Sequence, residues 1–191
     1  VEYSKDGRQL ARVFASGRLE ILDVTTNMVA WEREFYLPYA LHEAAVAWSP
    51  AGDRLAAGIG AILYIWDTES MHLLQTVQIG SDEPLIYFET GIEYPEGFVS
   101  LEWDSTGQQL LSSMISATIS VWSVDKQQFI YQYITQSGSG YSAVVWLEGG
   151  TRFSTGRAVF DITTQSGAVY PTPHYIPEVS GRCGGISTIT S

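Results

Sequence analysis

Short apolar runs separated by polar, glycine-containing turns recur along the chain, and their spacing is the first informative feature of the sequence. Four segments share an aromatic residue, a polar turn with glycine and a resumed apolar run: residues 3–11, 48–56, 103–111 and 146–154. Their leading aromatic residues are 45, 55 and 43 residues apart. Self-similarity at a period of roughly 20 to 50 residues is typical of repeat architectures, so we expect four related units.

A second marker keeps nearly the same period. In each unit an apolar run ends at a polar residue, in residues 19–23, 63–67, 119–123 and 158–161. These polar ends are 44, 56 and 38 residues apart. Because two separate markers follow one spacing, we interpret the chain as a tandem repeat.

The pattern within a unit predicts β-structure. Runs rich in Val, Ile, Leu, Tyr and Trp are bounded by Gly, Asp, Ser and Pro, and no helical period of 3.6 residues is sustained. The pairs Asp6-Gly7 and Gly149-Gly150 suit hairpin turns, which need a positive φ. Residues 63–66 are apolar on both faces, which indicates a strand between two packed sheets. A fourth strand is predicted in each unit, at residues 28–35, 72–79, 129–134 and 168–170.

The pair Trp66-Asp67 ends a predicted third strand, and residues 48–52 (Trp-Ser-Pro-Ala-Gly) precede it. This arrangement resembles the WD40 repeat of β-propellers, and the resemblance covers about residues 1–170. It implies an all-β fold: about four four-stranded antiparallel blades, forming a segment of a larger propeller of about seven blades. A closed four-bladed ring and an oligomeric ring are the alternatives.

The resemblance implies a single domain, residues 1–191, that begins inside a blade and is a fragment of a longer chain. The expected units are approximately residues 1–43, 44–98, 99–141 and 142–178, and residues 179–191 would start a further blade.

The sequence departs from the family pattern in its polar residues. Family blades often carry a Gly-His pair and an Asp in the turn between strands two and three, where they form a buried network with Ser or Thr and the Trp. Here Leu41 replaces that glycine, and His42 lies only seven residues before Ser49. The corresponding turns, residues 15–18, 58–61, 115–118 and 154–157, contain no Asp. We therefore expect apolar stacking to hold the blades together.

The composition argues against two classes of function, nucleic-acid binding and membrane insertion. The 191 residues carry a formal net charge of −11, with 45% hydrophobic and 16% charged residues, which suits one domain with a sizeable core. The absence of clustered cations argues against nucleic-acid binding, and the net charge favours basic partners. The longest apolar run, residues 56–66, is shorter than the roughly 20 residues that a bilayer requires, so no membrane insertion is expected.

The sequence predicts no catalytic, cofactor or metal site, and so no enzyme. His42-Glu43 lacks the second His of a zinc-protease helix, and residues 58–60 lack the third Gly of a dinucleotide fingerprint. The single Cys183 excludes an internal disulfide and a multi-cysteine metal site. No calcium-loop spacing occurs among the acids of residues 81–97, which are Asp82, Glu83, Glu89, Glu93 and Glu96. With no signal segment before the first strand, the cytoplasm is the expected compartment.

The connections between units are the unusual parts of the chain: residues 36–43, 81–97, 136–141 and 171–178. In the family they emerge on one rim of the disc, so their aromatic and acidic residues would converge. The candidate partner-binding residues are Tyr36, Tyr39, Tyr87, Phe88, Glu89, Glu93, Tyr94, Tyr141 and Tyr175. Aromatic side chains give rigid contact area and carboxylates steer cations, so we predict a non-catalytic scaffold that binds a protein or peptide, with basic partners favoured.

Three alternatives stay open. The aromatic residues of the connections could pack onto their own blades, with the acids serving solubility. A propeller enzyme or small-ligand binder would need inward-facing carboxylates or histidines at the first strands, where Glu2 and Glu102 stand out among mostly apolar residues. The chain could also be a structural or sensory module of a longer multidomain protein.

Overall fold

The computed structural model describes residues 1–37, 43–80, 85–87, 92–94, 96–134, 143–147, 150–155 and 159–163, and every regular element in this part is a β-strand. Blade 1 consists of β1 (Glu2–Tyr3), β2 (Gln9–Val13), β3 (Arg18–Asp23) and β4 (Met28–Glu34). Blade 2 consists of β5 (Ala44–Trp48), β6 (Arg54–Ile59), β7 (Ile62–Asp67) and β8 (Leu73–Gln78). A separate hairpin follows, with β9 (Leu85–Tyr87) and β10 (Ile92–Tyr94).

Blade 3 consists of β11 (Phe98–Trp103), β12 (Gln109–Met114), β13 (Thr118–Ser123) and β14 (Gln128–Ile134). The described part of blade 4 contains β15 (Val145–Trp146), β16 (Arg152–Ser154) and β17 (Val159–Asp161). In every blade the strands follow one another in chain order and pair antiparallel. The predicted all-β fold of four-stranded antiparallel blades is thus confirmed. The fourth strand predicted at residues 168–170 lies outside the described residues.

One turn recurs between the first and second strands of the blades, and its residues explain why the sequence repeats there. A polar side chain begins the turn: the Ser49 hydroxyl accepts the N–H of Arg54 at 2.9 Å, and the Asp104 carboxylate accepts the N–H of Gln109 at 2.8 Å. Glycine stands three residues later with a positive φ, as at Gly52 (80°) and Gly107 (71°). Only glycine adopts this backbone at little cost, so the turn keeps its sequence.

The polar residue that ends the third strand fixes the next turn. Asp67 accepts the backbone N–H and the hydroxyl of Ser70, and these hydrogen bonds hold the pKa of its carboxyl below its usual value. Asp23 and Asp161 make the same pair of bonds with a threonine. This local capping accounts for the second sequence marker.

The core lies between successive blades, where one face of each blade packs on the next. A row of residues across blade 2 meets an aliphatic row of blade 1, and the same positions meet at the next two junctions. The incoming rows are Trp48, Leu55, Trp66 and Leu73 in blade 2; Trp103, Leu110, Trp122 and Phe129 in blade 3; and Trp146, Phe153 and Phe160 in blade 4. The outgoing rows are Ala11, Leu19 and Ile21; Ala56, Leu63 and Ile65; and Leu111, Ile119 and Val121.

Around Trp66, at the centre of the junction between blades 1 and 2, the packing is apolar. The indole N–H of Trp66 is buried and has no hydrogen-bond partner among the residues that the structure describes. Its ring instead contacts the rings of Trp31, Phe35 and Tyr64 at centroid distances of 5.7 to 6.2 Å. Aromatic contact and burial of apolar area therefore stabilise this junction in place of a polar network.

The first strands of successive blades lie side by side and form the inner edge of the molecule. Contacts join β1 to β5, β5 to β11, and β11 to β15. This order is that of blades arranged in sequence around one axis. Within the described residues, the structure contains no helix of the length and apolar character that crossing a bilayer requires.

Candidate functional site

The rim of the molecule is the side where the chain passes from one blade to the next. We define it by the described residues of two connections, 35–37 with 43 and 79–80 with 85–87, 92–94 and 96–97, and by the turns between the second and third strands. In blade 1 the turn approaches the first connection: a methyl group added at Gly17 would lie 2.8 Å from the carbonyl oxygen of Phe35 and 2.9 Å from Leu37 Cδ1. Leu37 also reaches the turn of blade 2, 3.8 Å from such a group at Gly60. The connection and both turns therefore share one side.

The second connection enters blade 3 through Phe98, whose ring fills a space above Gly58. Phe98 is fully buried, and a methyl group added at Gly58 would lie only 2.1 Å from its Cγ. Because Gly58 of β6 has no side chain, the ring of Phe98 at the start of β11 can occupy this space. This contact fixes where the connection joins the core.

Both ends of the hairpin segment are bound to the blades. At its start, the N–H groups of Ile79 and Gly80 donate to the carbonyl of Ala61 at 2.9 and 3.2 Å. At its end, Glu96 Oε1 accepts the N–H of Ser116 at 3.1 Å, and the carbonyl of Gly97 accepts the N–H of Ile115 at 3.0 Å. Hydrogen bonds therefore hold the chain to the blades just before and just after the hairpin.

Glu96 corrects one expectation from the sequence. It counted among the acids of residues 81–97 that would keep the connection soluble or steer cations. In the structure only 2% of Glu96 is exposed, and its carboxylate binds backbone N–H groups of Gly97 and Ser116. Glu96 therefore fixes the backbone at the end of the second connection. The local sequence does not indicate this role, because its partner Ser116 lies 20 residues away in the turn of blade 3.

The structure describes four of the candidate partner-binding residues. Tyr36 follows β4 and is 97% exposed. Tyr87 lies in β9, and Glu93 and Tyr94 lie in β10. The register pairs Tyr87 with Ile92 and Tyr94 with Leu85, so the two tyrosines occupy positions on one face of the hairpin and Glu93 a position on the other. The remaining candidates lie outside the described residues: Tyr39, Phe88, Glu89, Tyr141 and Tyr175.

A charged cluster on blade 1 was not found from the sequence. Glu20 is buried, and its carboxylate pairs with Arg12 at 2.7 Å and Arg18 at 2.9 Å. Both guanidinium groups lie over the ring of Phe14, at 5.0 and 4.6 Å from its centroid. The sequence feature that could have indicated this cluster is the alternation of side chains along β2 and β3, because the register places Arg12 opposite Glu20.

At the inner edge, the carboxylates of Glu2 and Glu102, on which the channel alternative depends, each accept a hydrogen bond from the next blade. Glu2 Oε2 accepts the backbone N–H of Trp48 at 3.2 Å, and Glu102 Oε2 accepts that of Trp146 at 2.8 Å. Burial raises the pKa of Glu2 to about 7 and also raises the pKa of Glu102. Among the residues that the structure describes, no three His, Cys, Asp or Glu side chains group in a way that could hold a metal ion.

Comparison with known proteins finds a curated relative and solved structures of similar fold. No family model matches the chain. The periodic tryptophan protein 2 homolog of Neurospora crassa is 22% identical over 127 residues, which is 64% of this chain and 13% of that protein. Structures titled "Structure of U3-55K" and "Crystal structure of RRP9 WD40 repeats" each match with a TM-score of 0.59 and 15% identity, over 75% of this chain and 40% of theirs.

The chain thus spans less than half of the length of each of these three proteins. The matched structure whose title names WD40 repeats shares the blade architecture found here, and the tandem units, the Trp-Asp pair and the chain-ordered blades agree with it. This chain therefore has the blade fold of the WD40-repeat β-propellers.

Proposed function

We propose that this chain is a non-catalytic scaffold that binds a protein or peptide partner on its rim. The observation that carries the proposal is the hairpin of β9 and β10. It belongs to no blade, lengthens the repeat between blades 2 and 3, and is anchored at both ends. Sites held by rigid elements keep their geometry without a large entropy cost on binding, which suits recognition.

The composition of the hairpin supports protein recognition. Tyr87 and Tyr94 occupy one face of it, and tyrosine gives rigid, amphipathic contact area. Tyr36, which is almost fully exposed, follows β4 in the first connection on the same rim. The net charge of −11 favours association with a basic partner.

A quantitative pull-down tests the proposal. We expect the variant in which Tyr87, Phe88 and Tyr94 are changed to Ala to lose most partner recovery relative to the intact chain. The matched control changes Leu74 and Ile130 to Ala, because these exposed apolar residues lie on the outer strands β8 and β14, away from the rim. The control should recover the partner fully, and unchanged recovery by the rim variant would count against this surface.

The channel alternative draws on Glu2, whose pKa of about 7 suits a general acid or base. We favour the scaffold because the hydrogen bonds of Glu2 and Glu102 to the next blade give these carboxylates a structural task. The role of the chain as a module of a longer protein, and the cytoplasm as its compartment, stay predictions.

A further inference from the structure

One hydrogen bond repeats at the inner edge of all three described blade junctions. The indole N–H of the tryptophan that ends each later first strand donates to a backbone carbonyl of the preceding first strand. Trp48 donates to Glu2 at 3.2 Å, Trp103 to Ala47 at 3.0 Å, and Trp146 to Glu102 at 3.2 Å. The accepting residue always precedes the aromatic residue of its own unit, so this bond belongs to the repeat.

Two of the three junctions add a second bond through a side chain. Where the accepting residue is Glu2 or Glu102, its carboxylate also accepts the backbone N–H of the next blade's tryptophan. Where the residue is Ala47, no carboxylate is present. We call each pair, Glu2 with Trp48 and Glu102 with Trp146, a carboxyl clasp.

We propose that the two carboxyl clasps are proton-sensitive joints, which hold blade 1 to blade 2 and blade 3 to blade 4 more tightly when Glu2 and Glu102 are protonated. The junction between blades 2 and 3, with Ala47, has no such response.

The physical reason lies in the surroundings of the carboxyl groups. Each is about half-buried at a seam between blades, where an ionised carboxylate loses hydration and receives one backbone N–H in return. A protonated carboxyl keeps a carbonyl oxygen for the same N–H and avoids the cost of a buried charge. The neutral form therefore fits the seam better.

The neighbouring charges act on Glu2 in opposite directions. Burial is the largest influence and raises the pKa, the bond from Trp48 and the amino group of Val1 lower it, and the carboxylate of Glu102 raises it, with a result of about 7. For Glu102, burial raises the pKa and the bond from Trp146 lowers it. The folded state therefore holds these protons more tightly than the unfolded chain, whose Glu pKa is about 4.5. Their stabilisation is complete below that value and is lost as the pH rises through the folded-state pKa of each group, which is about 7 for Glu2.

The pH dependence of unfolding tests the clasps in the full chain. We expect the thermal midpoint of the wild type to rise by a few degrees from pH 7.5 to pH 5.5. The double variant Glu2→Gln with Glu102→Gln should lose most of this rise, because a glutamine amide oxygen still accepts the tryptophan N–H but carries no proton to release. The matched control, Glu32→Gln on the exposed face of β4, should keep the wild-type rise.

A rise of equal size in the double variant and the wild type would overturn the proposal. If the double variant does not fold, carboxyl ¹³C titration of the wild type decides instead: a Glu2 midpoint near 7 supports the clasp, and one near 4.5 overturns it. Neither measurement involves a partner, so its outcome is separate from the test of the rim.

Discussion

At the residue scale, this fold depends on which side chains are missing as well as on those present. Gly58 has no side chain, and the ring of Phe98 occupies the space that one would need. Trp66 and Trp122 hold equivalent positions in successive blades but differ in their polar contacts. The indole N–H of Trp122 donates to Gln75 in the preceding blade at 2.9 Å, whereas that of Trp66 has no partner among the described residues.

Replacing Gly58 by Ala should destabilise the chain by about 1 to 3 kcal/mol, because the added methyl group must displace a fully buried ring. Urea denaturation would measure this change in the free energy of unfolding. The same substitution made together with Phe98→Leu provides the control, because a smaller side chain at 98 leaves room for the methyl group. Equal costs in the two backgrounds would contradict the contact.

The two tryptophans give a matched comparison. Trp122→Phe should destabilise the chain by about 1 kcal/mol more than Trp66→Phe, because it removes a hydrogen bond and leaves the Gln75 oxygen without its donor. Trp66→Phe removes an indole N–H that has no partner among the described residues and so loses packing alone. Denaturation of both variants under one condition measures the difference. A larger loss for Trp66→Phe would show that polar contacts matter less at these junctions than we infer.

At the element scale, the hairpin of β9 and β10 is an insertion whose two ends meet. A methyl group added at Gly80 would lie 2.8 Å from Glu96 Cγ, so the chain leaves and re-enters the blades at nearly one point. The anchoring bonds belong to Gly80, Glu96 and their partners in the turns, all outside the hairpin strands. We therefore expect the blades to keep their arrangement without the hairpin.

Replacing residues 82–94 by a flexible linker of about five glycine and serine residues should leave the thermal midpoint within about 2 °C of the wild type, because long surface loops contribute little to stability. Partner recovery in the pull-down should fall as it does for the rim variant. Glu96→Ala serves as the contrasting variant, because it removes the anchor and should lower the midpoint. A hairpin deletion that unfolds the chain would contradict this division between blades and insertion.

The sequence predicts the described strands of the blades but not those of the insertion. Strand positions followed from local chemistry: Gly52 and Gly107 mark the repeated turns, and Asp67 caps the next one. The sequence predicts no strand within residues 81–97, because two strands of three residues are too short to give a clear alternation. The burial of Glu96 was also hidden, since its partner Ser116 lies 20 residues away in the chain.

At the scale of the whole molecule, the blades repeat one junction in chain order. Each junction joins a row that contains two or more aromatic residues to an aliphatic row, and an indole N–H to a carbonyl at the inner edge. In repeat proteins of this kind, stability is carried mainly by contacts between neighbouring units. The rim exists because this order brings the connections to one side.

The most direct test of this account is a nuclear Overhauser measurement on the three inner-edge tryptophans. We predict cross-peaks from the indole N–H of Trp48 to Glu2, of Trp103 to Ala47, and of Trp146 to Glu102, because each pair lies in hydrogen-bond contact. Absence of these three contacts, with Trp103 instead near residues of blade 1 or blade 4 as in a two-layer sandwich, would contradict the arrangement of blades and the shared rim with it.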